Sequence, residues 1–415
     1  MKNMKVLVVG NGAREHAIVW KLKQDKNVSE IYALPGNAGI SQIAKCIEER
    51  VDNVQKIVDI ALEYKVDWTV VGPELPLSLG IVDAFEDKGL KIWGPNKEGA
   101  KLEYSKAFAK EIMKESKIPT AEFKIFDSFS SAEQFIKKAS YPLVIKADGL
   151  CGGKGVKIAE SYESAIRILS EYMIDKIFGT AGEKVVIEEY LEGKEFSLIA
   201  IIKNGNFYFL PPAQDYKRVG EGNTGENTGG MGAFSPIPWI NEEILKKCEK
   251  NIFYPLLDEL DKRKINYQGF LYAGLILVKN DPYVLEFNVR LGDPEAQVIL
   301  PLLDFNFTDI LYNTSFPWSL DKKALCVVLA SKGYPGNYEI GKEIDFKNID
   351  FKDLYIFHAG TIKKNGKIVT SSGRVLSVTA WGEDFKEIRE RVYTAIESIH
   401  FENKYYRRDI GVELI

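Results

Sequence analysis

The sequence predicts an α/β protein of several domains with a parallel sheet at its N-terminal end. Its 415 residues exceed the roughly 100–200 residues of one domain. In the first hundred residues, short apolar runs alternate with amphipathic stretches, and most runs end in a turn rich in glycine or proline. Farther along, apolar runs flank Asn-Gly pairs such as Asn204-Gly205, the pattern of antiparallel hairpins.

The N-terminal unit is predicted to run to about residue 104. Its strands are expected at 5–9, 31–34, 68–71 and 90–93, and its helices at 14–24, 54–64 and 76–88. Because helices separate consecutive strands, the strands should lie parallel in one sheet. A helical stretch over about 97–116 leads into the second unit.

The second unit combines antiparallel strands with a long glycine-rich segment. Strands are expected at 143–147, 156–159, 185–191, 270–278 and 283–289, with a helix at 161–173 and a turn at 280–282. Residues 214–233 contain six glycines and no periodicity, so they are expected to form a long functional loop.

The last unit begins near Ala324 with an apolar strand. A hairpin turn at Asn365-Gly366, a strand over 374–380 and a helix at about 383–399 complete a small α+β unit.

Composition excludes several classes of protein. The formal charge of −4 does not favour a nucleic-acid or membrane-surface partner. Four cysteines lie far apart without a CxxC pair, which disfavours a zinc site or a disulfide framework. The apolar run Val6–Val9 is too short for a signal-peptide core, and no stretch reaches the roughly 18 apolar residues of a membrane helix. A cytoplasmic enzyme is therefore expected.

The segment GNGAREH, from Gly10 to His16, joins the first strand to the first helix. It is either a tight strand-to-helix turn or an anion site at a helix N-terminus, and Arg14 adds a cation there. It departs from the dinucleotide fingerprint because Glu15 replaces the third glycine and no acidic residue ends the next strand. An NAD-dependent oxidoreductase is accordingly disfavoured.

A glycine-rich turn separates Lys146 from Lys154. Because it lies between two strands, it differs from a Walker-type loop, which joins a strand to a helix. Such a hairpin could cover a triphosphate with both lysines facing phosphate oxygens, or it could be a mobile surface hairpin.

Two acidic segments complete the candidate chemistry. Glu188 and Glu195 could contact a nucleoside, although a charged edge strand is the simpler interpretation from these residues alone. Glu286, Asn288 and Arg290 alternate along a predicted strand and should share one face. A carboxylate and an amide oxygen suit Mg²⁺ that also binds nucleotide phosphates, whereas the alternative is a salt-bridged strand end.

In this order, the motifs resemble the ATP-grasp superfamily and, within it, the phosphoribosylamine–glycine ligase family. The resemblance covers essentially the whole chain. It is carried by GNGAREHA (10–17), PGNAG (35–39), VGPE (71–74), KADG (146–149), GKGV (153–156), VIEEYLEGKEFS (186–197), QDYKR (214–218), NTGGMGA (227–233), GFLYAGL (269–275), EFNVRLGDPE (286–295), FHAGT (357–361), SGRVL (372–376) and RRDIG (407–411).

The resemblance implies a fold and a reaction. The fold is an ATP-grasp fold with a substrate-binding α/β domain at 1–104, an ATP-grasp domain at 105–325 with a lid subdomain at about 121–191, and a C-terminal α+β domain at 326–415. The reaction is ATP-dependent ligation of glycine to 5-phosphoribosylamine through glycyl phosphate, the second step of de novo purine biosynthesis. ATP, Mg²⁺ or Mn²⁺, and a monomeric state are also implied.

The resemblance also implies roles for individual residues. ATP would be bound by Lys106, Lys146, Lys154, Glu188, Glu189, Leu191 and Glu195. The metal would be bound by Glu286 and Asn288. The catalytic residues would be Arg290, Asp293 and Lys154. The substrates would be bound by Gly12, Asn37, Glu74, Asp215, Lys217, Arg218 and Arg374.

This chain departs from the family pattern at two places. Cys151-Gly152 replaces the usual Ala-Ala and should make the lid more mobile. Val289 and Leu291 flank Arg290 in place of Cys and Phe. No carboxylate occurs at 272–274, where many ATP-grasp enzymes have a second metal ligand, so the number of metal ions is left open. The alternatives are another ATP-grasp ligase, a formyl or carboxyl transferase, and a nucleotide-binding module without turnover.

Overall fold

A parallel sheet of five strands forms the N-terminal part of the chain. The computed structural model describes residues 3–347 and 349–415, so the first two residues of the predicted N-terminal unit lie outside it. The sheet has the order β3-β2-β1-β4-β5. Helices cover it, which explains why β1 and β4 are apolar and almost fully buried. The elements are β1 (Met4–Gly10), α1 (Ala13–Lys23), β2 (Val28–Pro35), β3 (Lys45–Cys46), α2 (Val54–Glu63), β4 (Trp68–Val71), α3 (Glu74–Ser78), α4 (Ile81–Glu86), β5 (Ile92–Trp93) and α5 (Lys97–Tyr104).

Two predicted helices are each divided in the structure. Gly80 adopts φ of +83°, a left-handed conformation that separates α3 from α4 within the predicted helix 76–88. Ser105 is extended and caps α6 (Lys106–Glu115), because its hydroxyl accepts a hydrogen bond from the Phe108 N–H at 3.2 Å. The helical stretches predicted over 76–88 and 97–116 are therefore each formed by two helices rather than one.

Residues 123–189 form a separate small sheet with its own core. The strand order is β6-β9-β7-β8, all antiparallel, and α7 and α8 pack on it through apolar side chains such as Ile136 and Leu169. Since β9 lies between β6 and β7, the edge-strand interpretation of Glu188 is wrong. The elements are β6 (Phe123–Phe126), α7 (Phe129–Ile136), β7 (Leu143–Ala147), β8 (Val156–Ala159), α8 (Tyr162–Leu169) and β9 (Val185–Glu189).

A four-stranded antiparallel sheet, β11-β10-β16-β17, forms the centre of the molecule. The predicted Asn204-Gly205 turn is confirmed, with φ of +52° and +71°. The later turn lies at Lys279-Asn280, earlier than predicted, because Asp281 already pairs with Val278. The elements are β10 (Lys194–Lys203), β11 (Asn206–Phe209), β12 (Gln214–Asp215), β13 (Arg218–Gly220), β14 (Thr224–Asn227), β15 (Gly232–Ser235), α9 (Glu242–Cys248), α10 (Tyr254–Lys262), β16 (Gly269–Val278), β17 (Asp281–Asn288) and α11 (Glu295–Ile299).

The segment 214–233 is not the structureless loop that its composition predicts. It contains β12, the β13–β14 hairpin and the start of β15. Strand β15 pairs with β18 (Lys323–Ser331), so the middle of the chain contributes strands to the C-terminal sheet. The pairing partners are remote in sequence, which is why local composition does not reveal them.

The C-terminal sheet has the order β12-β15-β18-β23-β20, with β25 also paired to β18. Helix α12 covers it through buried residues such as Ile388 and Val392. Strand β18 crosses the boundary predicted between 325 and 326, and the predicted Asn365-Gly366 turn is confirmed. The remaining elements are β19 (Asp345–Phe346), β20 (Leu354–His358), β21 (Thr361–Lys364), β22 (Lys367–Thr370), β23 (Arg374–Gly382), α12 (Phe385–Glu397), β24 (Ile399–His400) and β25 (Lys404–Tyr405).

None of the helices within 3–347 and 349–415 combines the length and apolar character that crossing a membrane requires.

Candidate functional site

Lys146 connects the small sheet to the central sheet. Its ammonium lies 2.9 Å from the Glu188 carboxylate on β9 and donates a 2.9 Å hydrogen bond to the Leu285 carbonyl on β17. A shift in the β16–β17 register leaves Leu285 without a cross-strand partner, so its carbonyl is available. The side chain is therefore fixed at the groove between the two sheets.

Glu188 has two cationic partners instead of the single nucleoside contact that the resemblance implies. Its carboxylate is 2% exposed and lies 3.1 Å from Lys110 as well as 2.9 Å from Lys146. Sequence reasoning missed Lys110. The available signal was its position among the buried residues of α6, where a lysine interrupts an apolar face.

The predicted lid turn, residues 148–155, is attached at its base and reaches the C-terminal unit at its tip. Asp148 accepts a 2.7 Å hydrogen bond from the Ala107 N–H, and Lys106 donates to the Gly149 carbonyl at 3.2 Å. Lys154 donates to the Pro335 carbonyl at 3.2 Å. The two lysines therefore have different partners: Lys146 contacts Glu188 and the Leu285 carbonyl, whereas Lys154 contacts the Pro335 carbonyl.

Gly152 has φ of +57°, and none of the described residues lies within 4 Å of a Cβ added there. The tip of the turn therefore uses the left-handed conformation that glycine adopts without strain. Glycine thus replaces the family's alanine at a position where alanine would strain the backbone.

Glu286 and Asn288 project from the last part of β17. Gly274 on β16 lies opposite Glu286, and a Cβ there would lie 3.2 Å from the Glu286 Cγ. Burial raises the pKa of the Glu286 carboxyl, but Lys217, Lys146, Lys106 and Arg290 outweigh burial and hold this pKa below its usual value. Glu286 therefore offers an ionised carboxylate that is surrounded by cations.

This donor set fits a divalent cation that is shared with a nucleotide. Mg²⁺ prefers oxygen ligands and is usually bound by one or two carboxylates together with substrate phosphates. The amide oxygen of Asn288 lies two residues from Glu286 and accepts from Arg290 at 3.1 Å. In the described part of the chain, no group of three or more His, Cys, Asp or Glu side chains could hold a metal.

Arg290 lies just beyond the end of β17, so it is not part of the strand as predicted, but its guanidinium still donates to the Asn288 side-chain oxygen at 3.1 Å. Its guanidinium forms a 2.9 Å ion pair with Glu103 on α5 and lies 3.7 Å from Glu74. Burial lowers the pKa of Arg290, but Glu103 and Glu74 outweigh burial and raise it. Its Nε is buried and has no hydrogen-bond partner among the described residues, so it could donate to an anionic ligand.

Sequence reasoning also missed Glu103. Its second carboxylate oxygen accepts a 2.7 Å hydrogen bond from the Val289 N–H, so one side chain fixes both Arg290 and the backbone before it. Burial raises the pKa of Glu103, with Arg290 opposing this effect. The sequence offered little signal, because Glu103 belongs to an ordinary amphipathic helix.

Of the two interpretations of the glycine segment after β1, the structure favours the tight strand-to-helix turn over an anion site. The Gly12 N–H donates to the Glu15 carboxylate at 2.5 Å, and Arg14 pairs with Glu15 at 2.6 Å. This N–H is therefore occupied by a side chain of the same turn and is not free for an external anion. Gly12 still lies beside Asp293, because a Cβ there would come within 3.3 Å of the Asp293 carboxylate.

Asn37 uses the whole of its side-chain hydrogen-bonding capacity within the protein. Its amide donates to the Asn11 carbonyl at 2.9 Å and to the His358 carbonyl at 2.7 Å. Its oxygen accepts from the N–H groups of Gly39 and Ile40, both at 2.9 Å. The side chain thus connects the N-terminal and C-terminal units and has no donor or acceptor left for a substrate.

Asp293 and Arg374 bring three parts of the chain together. They form a 3.2 Å ion pair, and Arg374 also donates to the Gly229 carbonyl at 2.7 Å. Gln297 donates to the second Asp293 oxygen at 2.7 Å. Burial raises the pKa of Asp293, but Arg374 and Arg14 outweigh burial and lower it, so this carboxylate is ionised.

Asp215 and Lys217 lie together, whereas Arg218 points elsewhere. Burial raises the pKa of Asp215 to about 7, with Lys217 opposing burial and Glu295 adding to it. Lys217 forms a 3.0 Å ion pair with Glu195. Arg218 donates to the Gly225 carbonyl across the β13–β14 hairpin at 2.8 Å, so the structure does not bring it to Asp215.

The backbone after Glu188 is only partly available to a nucleobase. The Glu189 N–H donates to the Glu122 carbonyl at 3.0 Å, so this N–H is not free. Leu191 is half-buried in the connection between β9 and β10. An adenine edge would have to be read by the remaining groups of this connection.

A buried cluster beneath Arg290 was also missed. Tyr272 donates to Glu295 at 2.9 Å, and the Ser197 hydroxyl lies 3.2 Å from the same Glu295 oxygen. The Arg290 guanidinium lies 6.0 Å from the centre of the Tyr272 ring. Glu295 closes the EFNVRLGDPE segment, which was the only signal for it in the sequence.

Comparison with known proteins agrees with this geometry. Sequence profiles of phosphoribosylglycinamide synthetase match residues 4–103 (N domain), 104–296 (ATP-grasp (A) domain) and 324–413 (C domain). A phosphoribosylamine–glycine ligase of Caldanaerobacter subterraneus subsp. tengcongensis is 50% identical over 98% of this chain and 99% of that protein.

Solved structures agree as well. The crystal structure of phosphoribosylamine–glycine ligase from Thermotoga maritima matches with a TM-score of 0.87 and 38% identity, covering 98% of this chain and 100% of that one. The biotin carboxylase domain of Hydrogenobacter thermophilus 2-oxoglutarate carboxylase, in complex with MgADP, ADP and bicarbonate, has a TM-score of 0.76 at 17% identity. It covers 100% of this chain and 98% of that one, a likeness of fold alone. With profiles along nearly its whole length and relatives this similar, the chain belongs to the phosphoribosylglycinamide synthetase family of ATP-grasp proteins.

Proposed function

We propose that this protein ligates glycine to 5-phosphoribosylamine with cleavage of ATP, giving glycinamide ribonucleotide, ADP and phosphate. This is the second step of de novo purine biosynthesis. The observation that carries the proposal is the half-buried Glu286 carboxylate near the end of β17, whose pKa is lowered by lysines of three segments and by Arg290. A polyphosphate and its metal ion would balance that concentration of positive charge.

The chemistry requires activation of glycine. A carboxylate is a poor electrophile because its leaving group would be oxide, whereas an acyl phosphate releases phosphate. The amine of phosphoribosylamine then attacks the carbonyl of glycyl phosphate. The protein must align the reacting groups and exclude water from the acyl phosphate.

The nucleotide would occupy the groove between the small sheet and the central sheet. Lys146 lies at its wall and Lys106 at its base, while Lys154 could turn from the Pro335 carbonyl to a phosphate. Glu188 would act through Lys146 rather than on the nucleoside. Adenosine would be held by the remaining groups of the proposed set, which are Glu189, Leu191 and Glu195.

Glu286 and Asn288 would hold Mg²⁺ or Mn²⁺ together with the phosphates. A bound divalent cation neutralises phosphate charge and acts as a Lewis acid. Arg290 lies beside Asn288, and its Nε, 3.7 Å from Glu74, has no hydrogen-bond partner among the described residues, so it would stabilise negative charge on the transferring phosphoryl group.

The two substrates would lie between the N-terminal and C-terminal units. Asp293 is ionised and would orient an amine, with Arg374 fixing its position. Asp215 and Lys217 would face the glycine end of the site. The sugar phosphate would contact Gly12, the backbone of Asn37, Glu74 and Arg374. Arg218 would act only by keeping the β13–β14 hairpin in place.

We also propose the division into domains at 1–104, 105–325 with a lid at about 121–191, and 326–415. The separate core of the small sheet supports the lid as a body of its own. All four cysteines are free, which fits a reducing compartment such as the cytoplasm.

The test is an ADP-formation assay with phosphoribosylamine generated in situ, with and without glycine. ADP formation is expected only when glycine, phosphoribosylamine and Mg²⁺ are all present. Equal turnover with formate or bicarbonate would instead assign the protein to transfer or carboxylation of another purine precursor.

A further inference from the structure

Lys110 is a cation on α6 with only 2% of its surface exposed. It forms a 3.1 Å ion pair with Glu188 and donates a 2.6 Å hydrogen bond to the Thr120 hydroxyl. Its ammonium also lies 5.4 Å from the centre of the Phe123 ring. A charge buried this deeply is costly unless its partners compensate for it, so its retention needs a reason.

The contacts of Lys110 lead to the strand that carries the proposed metal ligands. Thr120 accepts from Lys110 and donates to the Val284 carbonyl at 2.6 Å. Lys146 donates to the next carbonyl, that of Leu285. Two lysines that share one carboxylate are therefore joined to consecutive residues of β17, directly before Glu286.

The second lysine gives the group around Glu188 a net positive charge that a single lysine would not give it. Glu188 alone would neutralise Lys146, and the pair would offer little attraction to a phosphate. With Lys110 on the other carboxylate oxygen, the buried group carries two positive charges against one negative charge. The excess charge lies at the nucleotide groove, where Lys146 is 7% exposed and Lys110 is 2% exposed.

We propose that Lys110 is a positioning residue for nucleotide binding, which holds Glu188 and thereby fixes the Lys146 ammonium toward the phosphates. The inference rests on the proposed function, since it assumes that ATP occupies this groove. It adds a residue that does not itself touch the nucleotide.

The protonation of Lys110 supports this role. Burial lowers the pKa of Lys110 to about 8, with Lys146 acting in the same direction and Glu188 and Glu189 opposing it. Lys110 therefore loses its proton as pH rises through about 8, which removes one counter-charge from Glu188. Arginine at this position would stay charged.

The test compares Lys110→Met, Lys110→Arg and the control Lys114→Met, which removes an exposed lysine from the same helix. Lys110→Met should raise KM for ATP and Kd for ADP roughly 10–100-fold, as loss of an orienting partner does at metal sites, with little change in kcat. Lys110→Arg should recover most of the affinity, and Lys114→Met should match the unmodified protein.

A second readout applies if Lys110→Met does not fold. In the unmodified protein Kd for ADP should rise as pH increases through about 8, and in Lys110→Arg this rise should be absent. Unchanged affinity in Lys110→Met, or the same pH profile in both proteins, would overturn the inference. Because ADP binding is measured directly, a protein that binds ADP but shows no glycine-dependent turnover would refute only the proposed function.

Discussion

The Glu286 carboxylate shows how a single residue can organise the charge of a site. Lys217, Lys146, Lys106 and Arg290 come from four different segments, and each lowers the pKa of this carboxyl. Opposite charges in one buried site stabilise each other only while all partners are present. Glu286 is therefore the residue whose loss should change the site most directly.

Glu286→Ala is expected to abolish glycine-dependent ADP formation, because the divalent cation loses its only carboxylate ligand in the proposed set. The measurement is turnover across a Mg²⁺ titration. Glu259→Ala serves as the control, since Glu259 lies on α10 and pairs with Arg263 away from this groove. Near-normal activity at saturating Mg²⁺ would show that Glu286 is not a metal ligand.

Glu103→Gln is expected to lower kcat/KM roughly 10–100-fold, as loss of an orienting partner does elsewhere. Glutamine retains an acceptor for the Val289 N–H but removes the charge that holds Arg290. Steady-state kinetics would measure the change. Glu98→Gln, an exposed change on the same helix, should have no effect, and equal kinetics for the two variants would contradict the role of Glu103.

At the scale of single residues, the sequence predicted several site residues but not the side chains that they contact. Glu286 was found because polar groups alternate along an apolar strand, and Lys146 was found because it precedes a glycine-rich turn. Asn37 was selected through the family resemblance, yet its four side-chain hydrogen bonds are internal to the protein. Glu103 was missed because nothing local distinguishes its buried charge from an exposed one, and Lys110 was missed although it interrupts the apolar face of α6.

At the scale of the elements, the β13–β14 hairpin is held by hydrogen bonds from Arg407, which is distant in sequence. Arg407 is 1% exposed and donates to the Arg218 carbonyl at 3.0 Å and to the Asn223 side chain at 3.1 Å. It also forms a 2.7 Å ion pair with Asp409 and lies 5.0 Å from the centre of the Tyr216 ring. Tyr216 lies between Asp215 and Lys217, so this clamp reaches the proposed glycine site.

Arg407→Met is expected to lower the free energy of unfolding by about 2 kcal/mol, because several charge-assisted hydrogen bonds are lost. Amide exchange over 214–227 should become faster, and KM for glycine should rise. Arg408→Met changes the neighbouring exposed arginine and serves as the control. Unchanged exchange in the hairpin would contradict the clamp.

The elements themselves were predictable where the signal is local. Strands β1, β4 and β7 follow continuous apolar runs, and the two Asn-Gly turns have the expected left-handed residues. The segment 214–233 was not predictable, because β15 pairs with β18 and β12 pairs with β15. Short strands with little hydrophobic pattern become visible only when their partners are known.

At the scale of the whole molecule, the N-terminal and C-terminal units contact each other through His16 on α1 and His358 on β20. The His358 N–H donates to the His16 Nδ1 at 2.8 Å, and the ring centres lie 5.6 Å apart. A Cβ on Gly39 would lie 2.5 Å from each ring, so no larger residue fits there. Burial lowers the pKa of His358 to about 4, and burial together with His358 lowers that of His16.

These directions predict loss of stability in acid. The unfolded chain binds protons to its histidines near pH 6.5, whereas folded His358 binds one only near pH 4, so stability falls as pH drops across this range. His358→Gln should remove about 3 kcal/mol of this pH-dependent loss. Chemical unfolding at pH 7 and pH 4 measures the effect, with exposed His400→Gln as the control; equal slopes for the two variants would contradict it.

The order of the units was readable from the sequence because each carries a motif at its own place in the chain. How they contact one another was not readable, since contacts such as Asn37 to His358 and Arg374 to Gly229 join residues more than a hundred positions apart.

The pairing of β15 with β18 has a consequence for synthesis of the protein. Strand β15 leaves the ribosome roughly ninety residues before β18, which at about 5–20 residues per second is a delay of several seconds. During that interval the edge of β15 that later receives β18 is uncovered, and an uncovered edge can pair with another nascent chain. Chaperone demand in the cell should therefore be greatest before the last quarter of the chain emerges.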